Sequence, residues 1–244
     1  MTGVRPRSCR VARWLTAVGL GALLMLASFA VSGGVASAST AVTAVGGLAD
    51  VVGTGAGSLP VSPKTIGDAL VVTVKVSSAT AKVSSVSGGG AATWTKLVGF
   101  TDNSSHDLEI WLGTVTTVGS ATITVAYSPS AASSSVELTS QEFTAGLGAA
   151  TVWAKDTAAG QSNPSSTSIA SPALTPAGTG ELYLSYSRSP GQVLAGSTPG
   201  FTYDPTALGN MVLYDSGVTG AVAPTSTQSP ADTSSSVGAL IEVS

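Results

Sequence analysis

The strongest pattern for ligand binding in this sequence is formed by three side chains of one predicted strand, Asp107, Glu109 and Trp111. They alternate with the apolar residues Leu108, Ile110 and Leu112. If the apolar set faces a core, the other three point to solvent, with roughly 6.5 to 7 Å between successive members. An exposed indole beside carboxylates suits a sugar ring, because the C–H face of the ring stacks on the aromatic plane while the acids accept hydrogen bonds from hydroxyls. The pattern predicts a carbohydrate-binding face. The alternative is that Trp111 is covered and belongs to the core, as most large aromatic side chains do.

Polar residues of other predicted strands extend this face if their strands are adjacent. These residues are Thr122, Thr124, Glu137, Thr139 and Gln141. Within this set, Glu109 and Glu137 are also the candidate acid and nucleophile of a glycosidase, which needs two carboxyls roughly 5 to 9.5 Å apart in a cleft. Few aromatic residues are available to line sugar subsites, so a catalytic function is the less favoured interpretation.

The single histidine, His106, is the only ring on which a Ser-His-Asp relay is possible, with Asp102 or Asp107 as its partner. No Gly-x-Ser-x-Gly motif accompanies it, so a turn or strand-entry role is favoured and no catalytic residue is assigned.

One imidazole without thiols excludes a structural zinc site. Oxygen ligands from Asp102, Asn103 and Asp107 leave calcium open, although an ordinary Asx-rich turn explains the same residues better. No other cofactor is expected.

The N-terminus has the composition of a Sec-type export signal. Four arginines without any acid precede an apolar run over residues 14–31, and Ala36-Ser37-Ala38 follows at the distance that signal peptidase reads. We expect residues 1–38 to be a signal peptide cleaved after Ala38. An uncleaved anchor is the alternative, because about 18 apolar residues just span a bilayer. Residues 39–244 then form one secreted domain, either released or loosely associated with the cell wall.

Cleavage changes the chemistry of the chain. The only cysteine, Cys9, leaves with the signal, so the mature chain contains no thiol. The four signal arginines leave as well, which gives six basic against thirteen acidic side chains and a net charge of −7. Nucleic acid is therefore an unfavourable partner. No membrane partner is expected after cleavage, and the sequence leaves the oligomeric state open.

Period-two alternation of apolar and polar residues dominates the mature chain and predicts an all-β fold. Strands are predicted over residues 68–76, 106–115, 121–127, 135–143, 181–187, 211–214 and 237–243, with weaker signals at 41–45, 83–86, 93–100 and 167–170. The strands 106–115 and 121–127 are expected to be neighbours. Short strands separated by Gly, Pro, Ser and Asn turns favour an antiparallel two-sheet β-sandwich or jelly roll.

Short sequence strings add to this picture. Gly67-Asp68-Ala69-Leu70 recurs loosely as Gly180-Glu181-Leu182-Tyr183, which favours one two-sheet domain, with chance recurrence in a Ser-rich chain as the alternative. Five strings carry a family resemblance: Gly67-Asp68-Ala69-Leu70-Val71-Val72, Ser87-Gly88-Gly89-Gly90, Thr93-Trp94-Thr95, Glu109-Ile110-Trp111 and Gln141-Glu142-Phe143. Together they resemble a β-sandwich domain of uncharacterised secreted bacterial proteins. The resemblance implies the fold and no catalytic residues.

Three functions follow from these patterns. The first is a secreted, non-catalytic binding or adhesion module for a cell-wall or environmental polysaccharide or another cell-surface component, with Asp107, Glu109 and Trp111 as the ligand-binding residues. The second is a structural surface protein that associates with copies of itself, indicated by the low charge and a mean hydropathy of +0.38. The third is a jelly-roll glycoside hydrolase that uses Glu109 and Glu137.

Overall fold

The computed structural model describes residues 41–244, so the predicted signal peptide and the Ala38 cleavage site lie outside the described residues. The regular elements of the described chain are strands and one short 3-10 turn, Gly148–Ala150. The strands are β1 (Thr43–Thr54), β2 (Ser58–Val61), β3 (Ala69–Val76), β4 (Lys82–Gly88), β5 (Ala91–Thr101), β6 (Asp107–Val115), β7 (Ala121–Ser128), β8 (Ser135–Thr144), β9 (Trp153–Ala170), β10 (Glu181–Arg188), β11 (Val193–Leu194), β12 (Thr202–Pro205), β13 (Met211–Val218) and β14 (Thr225–Val243). The part of the chain described here contains no helix that is long and apolar enough to cross a bilayer.

The first eight strands form a jelly roll. A central antiparallel sheet has the order β1-β8-β3-β6-β5, and a smaller sheet has the order β2-β7-β4. In a jelly roll one sheet contains strands 1, 8, 3 and 6 and the opposite sheet contains strands 2, 7, 4 and 5. The observed order agrees with this arrangement, except that β5 pairs with β6 in the central sheet. The chain crosses between the two sheets at most of its connections.

The last six strands form a third sheet on the other side of the central one. Its order is β11-β14-β10-β13-β12, and β9 pairs with the second edge of β14. Every residue of β10 is buried, as is every residue of β3 in the central sheet. The loosely repeated strings at Gly67 and Gly180 therefore mark the starts of the two fully buried strands.

Two separate cores hold the central sheet between its neighbours. The core shared with the third sheet contains Val71, Leu108, Ile110, Phe143 and Tyr186. The core shared with the small sheet contains Leu59, Val72, Trp111, Ile123 and Leu138. Because side chains alternate between the faces of a strand, every position of a central strand lies in one core or the other.

The predicted all-β antiparallel sandwich is confirmed, with a third sheet in addition to the two expected. The expected pairing of residues 106–115 with 121–127 is wrong. The strand β6 pairs with β3 and β5, whereas β7 pairs with β2 and β4. A short connection is compatible with a hairpin, but here it carries the chain from one sheet of the jelly roll to the other.

Candidate functional site

The predicted solvent-exposed face of β6 is buried. Asp107, Glu109 and Trp111 are 2%, 1% and 8% exposed, because the small sheet covers this side of the central sheet. The prediction that these side chains point to solvent is therefore wrong, and the alternative, that Trp111 belongs to the core, is confirmed. The amine of Lys96 lies 5.1 Å from the centroid of the Trp111 ring. A sugar cannot stack on this indole in the described fold.

Each acid of this face has a lysine partner, although Asp107 Oδ2 is buried without a hydrogen-bond partner among the described residues. The Glu109 Oε2 atom accepts hydrogen bonds from Trp111 Nε1 at 2.6 Å and from Lys96 Nζ at 2.8 Å. Asp107 Oδ1 lies 2.7 Å from Lys82 Nζ. Burial raises the pKa of Glu109 to about 7, and the neighbouring Asp107 carboxyl adds to the rise, while the bonds from Lys96 and Trp111 oppose it. These contacts give the three residues a structural role.

The two carboxyls considered for glycoside hydrolysis lie on opposite faces of the central sheet. Glu109 stands in register with Val74, whereas Glu137 stands in register with Lys75, the next residue of β3. Paired residues of antiparallel strands share a face and successive residues do not. Glu137 faces the third sheet, where it accepts hydrogen bonds from Tyr186 and, at 2.8 Å, from Asn210. No single glycosidic bond can lie between Glu109 and Glu137.

The predicted polar surface around β6 is divided in the same way. Thr139 and Gln141 are buried on the Glu137 side of β8, whereas Thr122 and Thr124 are exposed on β7 in the small sheet. Neither β7 nor β8 is adjacent to β6. These residues therefore do not form one continuous binding face.

The loop before β6 is an Asx turn fixed by a buried carboxylate. Asp102 Oδ1 accepts the backbone N–H groups of Ser104 at 2.9 Å and His106 at 2.8 Å, and Oδ2 accepts from Arg188 at 3.0 Å and Ser235 at 2.7 Å. Burial alone raises the pKa of Asp102, but the bonds from His106 and Ser235 outweigh it and hold the pKa well below its usual range. Ser235 donates to the aspartate and not to the imidazole, so the group does not have the order of a catalytic relay.

The residues considered for calcium do not converge. Asp102 bonds to Arg188 of β10 in the third sheet, whereas Asp107 bonds to Lys82 of β4 in the small sheet. Within residues 41–244 no group of three or more His, Cys, Asp or Glu side chains is arranged to hold a metal ion. Whether the protein binds calcium stays open.

A cavity opens where β1 departs from its register with β8. The pairing shifts between Val45 and Ala49, so that Gly46 and Gly47 bulge away from the sheet edge. Gly46 has a φ of +69°, a value that favours glycine, and the bulge is tied down where Gln141 Nε2 donates to the Val45 carbonyl at 3.0 Å. Bulges of this kind often adjoin functional sites.

This bulge cavity has a volume of about 320 Å³. It is lined by Val45, Gly46, Gly47, Ala49, Val61, Ser62, Pro63, Lys64, Leu70, Ser140 and Glu142. Its floor is buried, at Leu70, Ser140 and Glu142, while its rim is exposed, at Gly46, Gly47, Ser62 and Lys64. The mixture of short apolar side chains and a few converging polar groups is typical of a small-molecule site.

Two polar groups at the floor carry the chemistry of the bulge cavity. The hydroxyl of Ser140 is buried and has no hydrogen-bond partner among the described residues. Glu142 Oε1 accepts the backbone N–H groups of Lys64 at 2.7 Å and Thr65 at 3.4 Å. Burial raises the pKa of Glu142, and the adjacent Asp68 carboxyl raises it further, against those two backbone bonds. A buried carboxyl with a perturbed pKa and an unpaired hydroxyl is a combination associated with functional sites.

No family model, curated protein or solved structure matches the chain. The geometry of the bulge cavity therefore supplies the argument for function.

Sequence reasoning did not identify this site. Glu142 stands out in the sequence only within Gln141-Glu142-Phe143, where it marks a strand, and Ser140 is one of many serines. The available signal is the Gly46-Gly47 pair inside an otherwise strand-like segment, since glycine in a strand often marks a bulge. That signal locates the bulge but not the strand that faces it.

Proposed function

We propose that this protein is a secreted, non-catalytic binding module for a saccharide, and that the bulge cavity holds one sugar residue of a longer polysaccharide. The proposal keeps the predicted function and moves its site from the Asp107, Glu109 and Trp111 face to Ser140 and Glu142. It also places the chain with the secreted bacterial β-sandwich proteins that its strand motifs resemble. One observation carries it: an unpaired buried hydroxyl beside a buried carboxyl at the floor of a 320 Å³ cavity.

The cavity offers what a sugar ring needs. Val45, Val61 and Leu70 present short apolar surfaces to the C–H groups of a ring. The Glu142 carboxyl accepts hydrogen bonds from ring hydroxyls, and the Ser140 hydroxyl both donates and accepts. The exposed glycines of the rim leave the entrance open, since a Cβ at Gly46 or Gly47 meets no atom within 4 Å. A polysaccharide fits the same site when one of its sugar residues enters the cavity and the rest of the polymer continues across the exposed rim.

Glu142→Gln tests the site. The amide oxygen still accepts the N–H groups of Lys64 and Thr65, while the charge that binds sugar hydroxyls is lost. Hydrogen bonds to charged groups contribute about 1.5 to 3 kcal/mol, so retention on the best of a panel of cellulose, chitin, xylan and peptidoglycan is expected to weaken about 10- to 100-fold. The matched control is Glu242→Gln, which changes an exposed acid of β14 far from the cavity lining.

Ser140→Ala separates binding from stability. Removal of a buried hydroxyl without a partner is expected to leave the free energy of unfolding unchanged or slightly higher, and to weaken retention about 2- to 10-fold. Unchanged retention in both variants, or no retention of the wild type on any member of the panel, contradicts the proposal.

Self-association is the second candidate, and β9 is the observation that favours it. This strand of 18 residues pairs only with β14, and its sole charged residues, Lys155 and Asp156, lie near its start. A long edge with few charges is available for pairing with a second copy, although Pro164 limits that pairing to part of the strand. Light scattering over increasing protein concentration is expected to show reversible growth in mass, and a strict monomer at high concentration contradicts this function.

A further inference from the structure

A second cavity lies at the other end of β3, on the opposite face of the central sheet. It has a volume of about 220 Å³ and is lined by Lys75, Ser135, Arg188, Ser189, Pro190, Leu208 and Asn210. Lys75 and Leu70 are five residues apart on β3, or about 17 Å, which separates this cavity from the bulge cavity. We call it the cation cavity, because its buried floor contains both Lys75 and Arg188.

Lys75 is a largely buried cation that makes no close ion pair with a described residue. It is 7% exposed, and no described carboxylate lies within 4.0 Å of its amine. It donates no hydrogen bond to another described residue, although it faces the cavity. Burial lowers the pKa of Lys75, and the Arg188 charge lowers it further against the opposing effects of Glu137 and Asp102. The ammonium therefore has N–H donors that no described residue accepts, and an oxyanion in the cavity is able to accept them.

The carboxylate oxygens of the nearby acids already accept hydrogen bonds from other groups, although their charges still act on Lys75. Glu137 accepts from Tyr186, from Asn210 and, at 3.0 Å, from the backbone N–H of Leu208. Asp102 accepts from Arg188 at 3.0 Å through Nη1 alone, so the remaining donors of the guanidinium have no acceptor among the described residues. The cavity therefore presents an ammonium and part of a guanidinium, and guanidinium groups match planar oxyanions well.

We propose that the cation cavity binds a small oxyanion, a carboxylate, sulfate or phosphate, between the Lys75 ammonium and the Arg188 guanidinium. The volume is below the about 300 Å³ at which pockets for drug-sized ligands begin, which favours a single anionic group over a whole oligosaccharide. The site does not depend on the saccharide function proposed for the bulge cavity.

Calorimetric titration of the purified protein at low ionic strength tests the proposal. The probes are sodium sulfate, sodium phosphate and sodium acetate, with acetamide as the uncharged counterpart of acetate. We expect one-site binding of at least one anion and none of acetamide. Binding of acetate alone identifies a carboxylate source, and binding of sulfate or phosphate alone identifies an inorganic one. Absence of binding by all three anions, or equal binding of acetamide and acetate, overturns the proposal.

Lys75→Met assigns the site. Loss of a charge-assisted contact is expected to weaken anion binding about tenfold or more, whereas the control Lys155→Met, which removes an exposed lysine of β9, changes it less than about twofold. Lys75→Gln, a second variant that keeps a polar side chain but removes the charge, is also expected to weaken anion binding. Equal affinities in the Lys75 and Lys155 variants overturn the proposal.

Discussion

Replacement of Asp102 with alanine is expected to lower the free energy of unfolding by about 3 to 5 kcal/mol. The carboxylate joins the loop before β6 to the third sheet, through the Arg188 guanidinium at 3.0 Å and the Ser235 hydroxyl at 2.7 Å. Its removal leaves the Arg188 guanidinium, whose side chain is 7% exposed, without its ion-pair partner. Urea unfolding at neutral pH measures the loss.

Two further variants give this prediction its controls. Asn103→Ala changes the exposed neighbour in the same loop and is expected to alter stability by less than about 0.5 kcal/mol. The double variant Asp102→Ala, Arg188→Met removes the stranded cation and is expected to recover part of the loss. A cost for Asp102→Ala as small as that for Asn103→Ala contradicts the role assigned to this carboxylate.

The second large effect concerns pH and arises from Glu109. Its pKa is raised from 4.5 to about 7 in the fold, so between these values the native state binds more protons than the unfolded state. The contribution of Glu109 is therefore fully present below pH 4.5 and is lost as the pH rises towards 7, by about 3 kcal/mol in total. Asp102 has the opposite sign, because a depressed pKa stabilises the fold above the unfolded value and the gain is lost in acid.

Glu109→Gln isolates this effect. The amide stays neutral and still accepts a hydrogen bond from Trp111, so the decline in unfolding free energy between pH 4.5 and 7 is expected to be flatter than in wild type. Urea unfolding at several pH values in this interval measures both slopes, with Glu242→Gln as the exposed control. If the unfolding free energies of wild type and Glu109→Gln change in parallel with pH, the raised pKa of the buried Glu109 carboxyl is contradicted.

The sequence predicts the strands well because their alternation is a local property. The predicted segment 135–143 corresponds to Ser135–Thr144, and 181–187 to Glu181–Arg188. The long strands are underestimated: Thr225–Val243 is predicted only over residues 237–243, since its first half is rich in hydroxyl side chains that resemble loop composition. The small strand Ser58–Val61 is missed because four residues carry too little periodicity.

The candidate site is harder to predict because it depends on which sheets cover which faces. The alternation in β6 separates Asp107, Glu109 and Trp111 from the leucine side correctly, yet both sides are buried because the strand lies between two other sheets. The mostly apolar stretch of β3, interrupted only by Thr73 and Lys75, indicates such a position. Ser140 and the β1 bulge meet across about 95 residues of sequence, and Lys75 meets Arg188 across more than a hundred, so no local pattern brings them together.

Nuclear magnetic resonance titration tests whether the proposed saccharide site lies in the bulge cavity. The isotopically labelled protein is titrated with the tetrasaccharide of whichever polysaccharide retains it. We expect amide shift changes to concentrate at residues 45–49, 62–65 and 140–142, and to disappear in Glu142→Gln. Shift changes centred on another surface, or persisting unchanged in that variant, contradict this location.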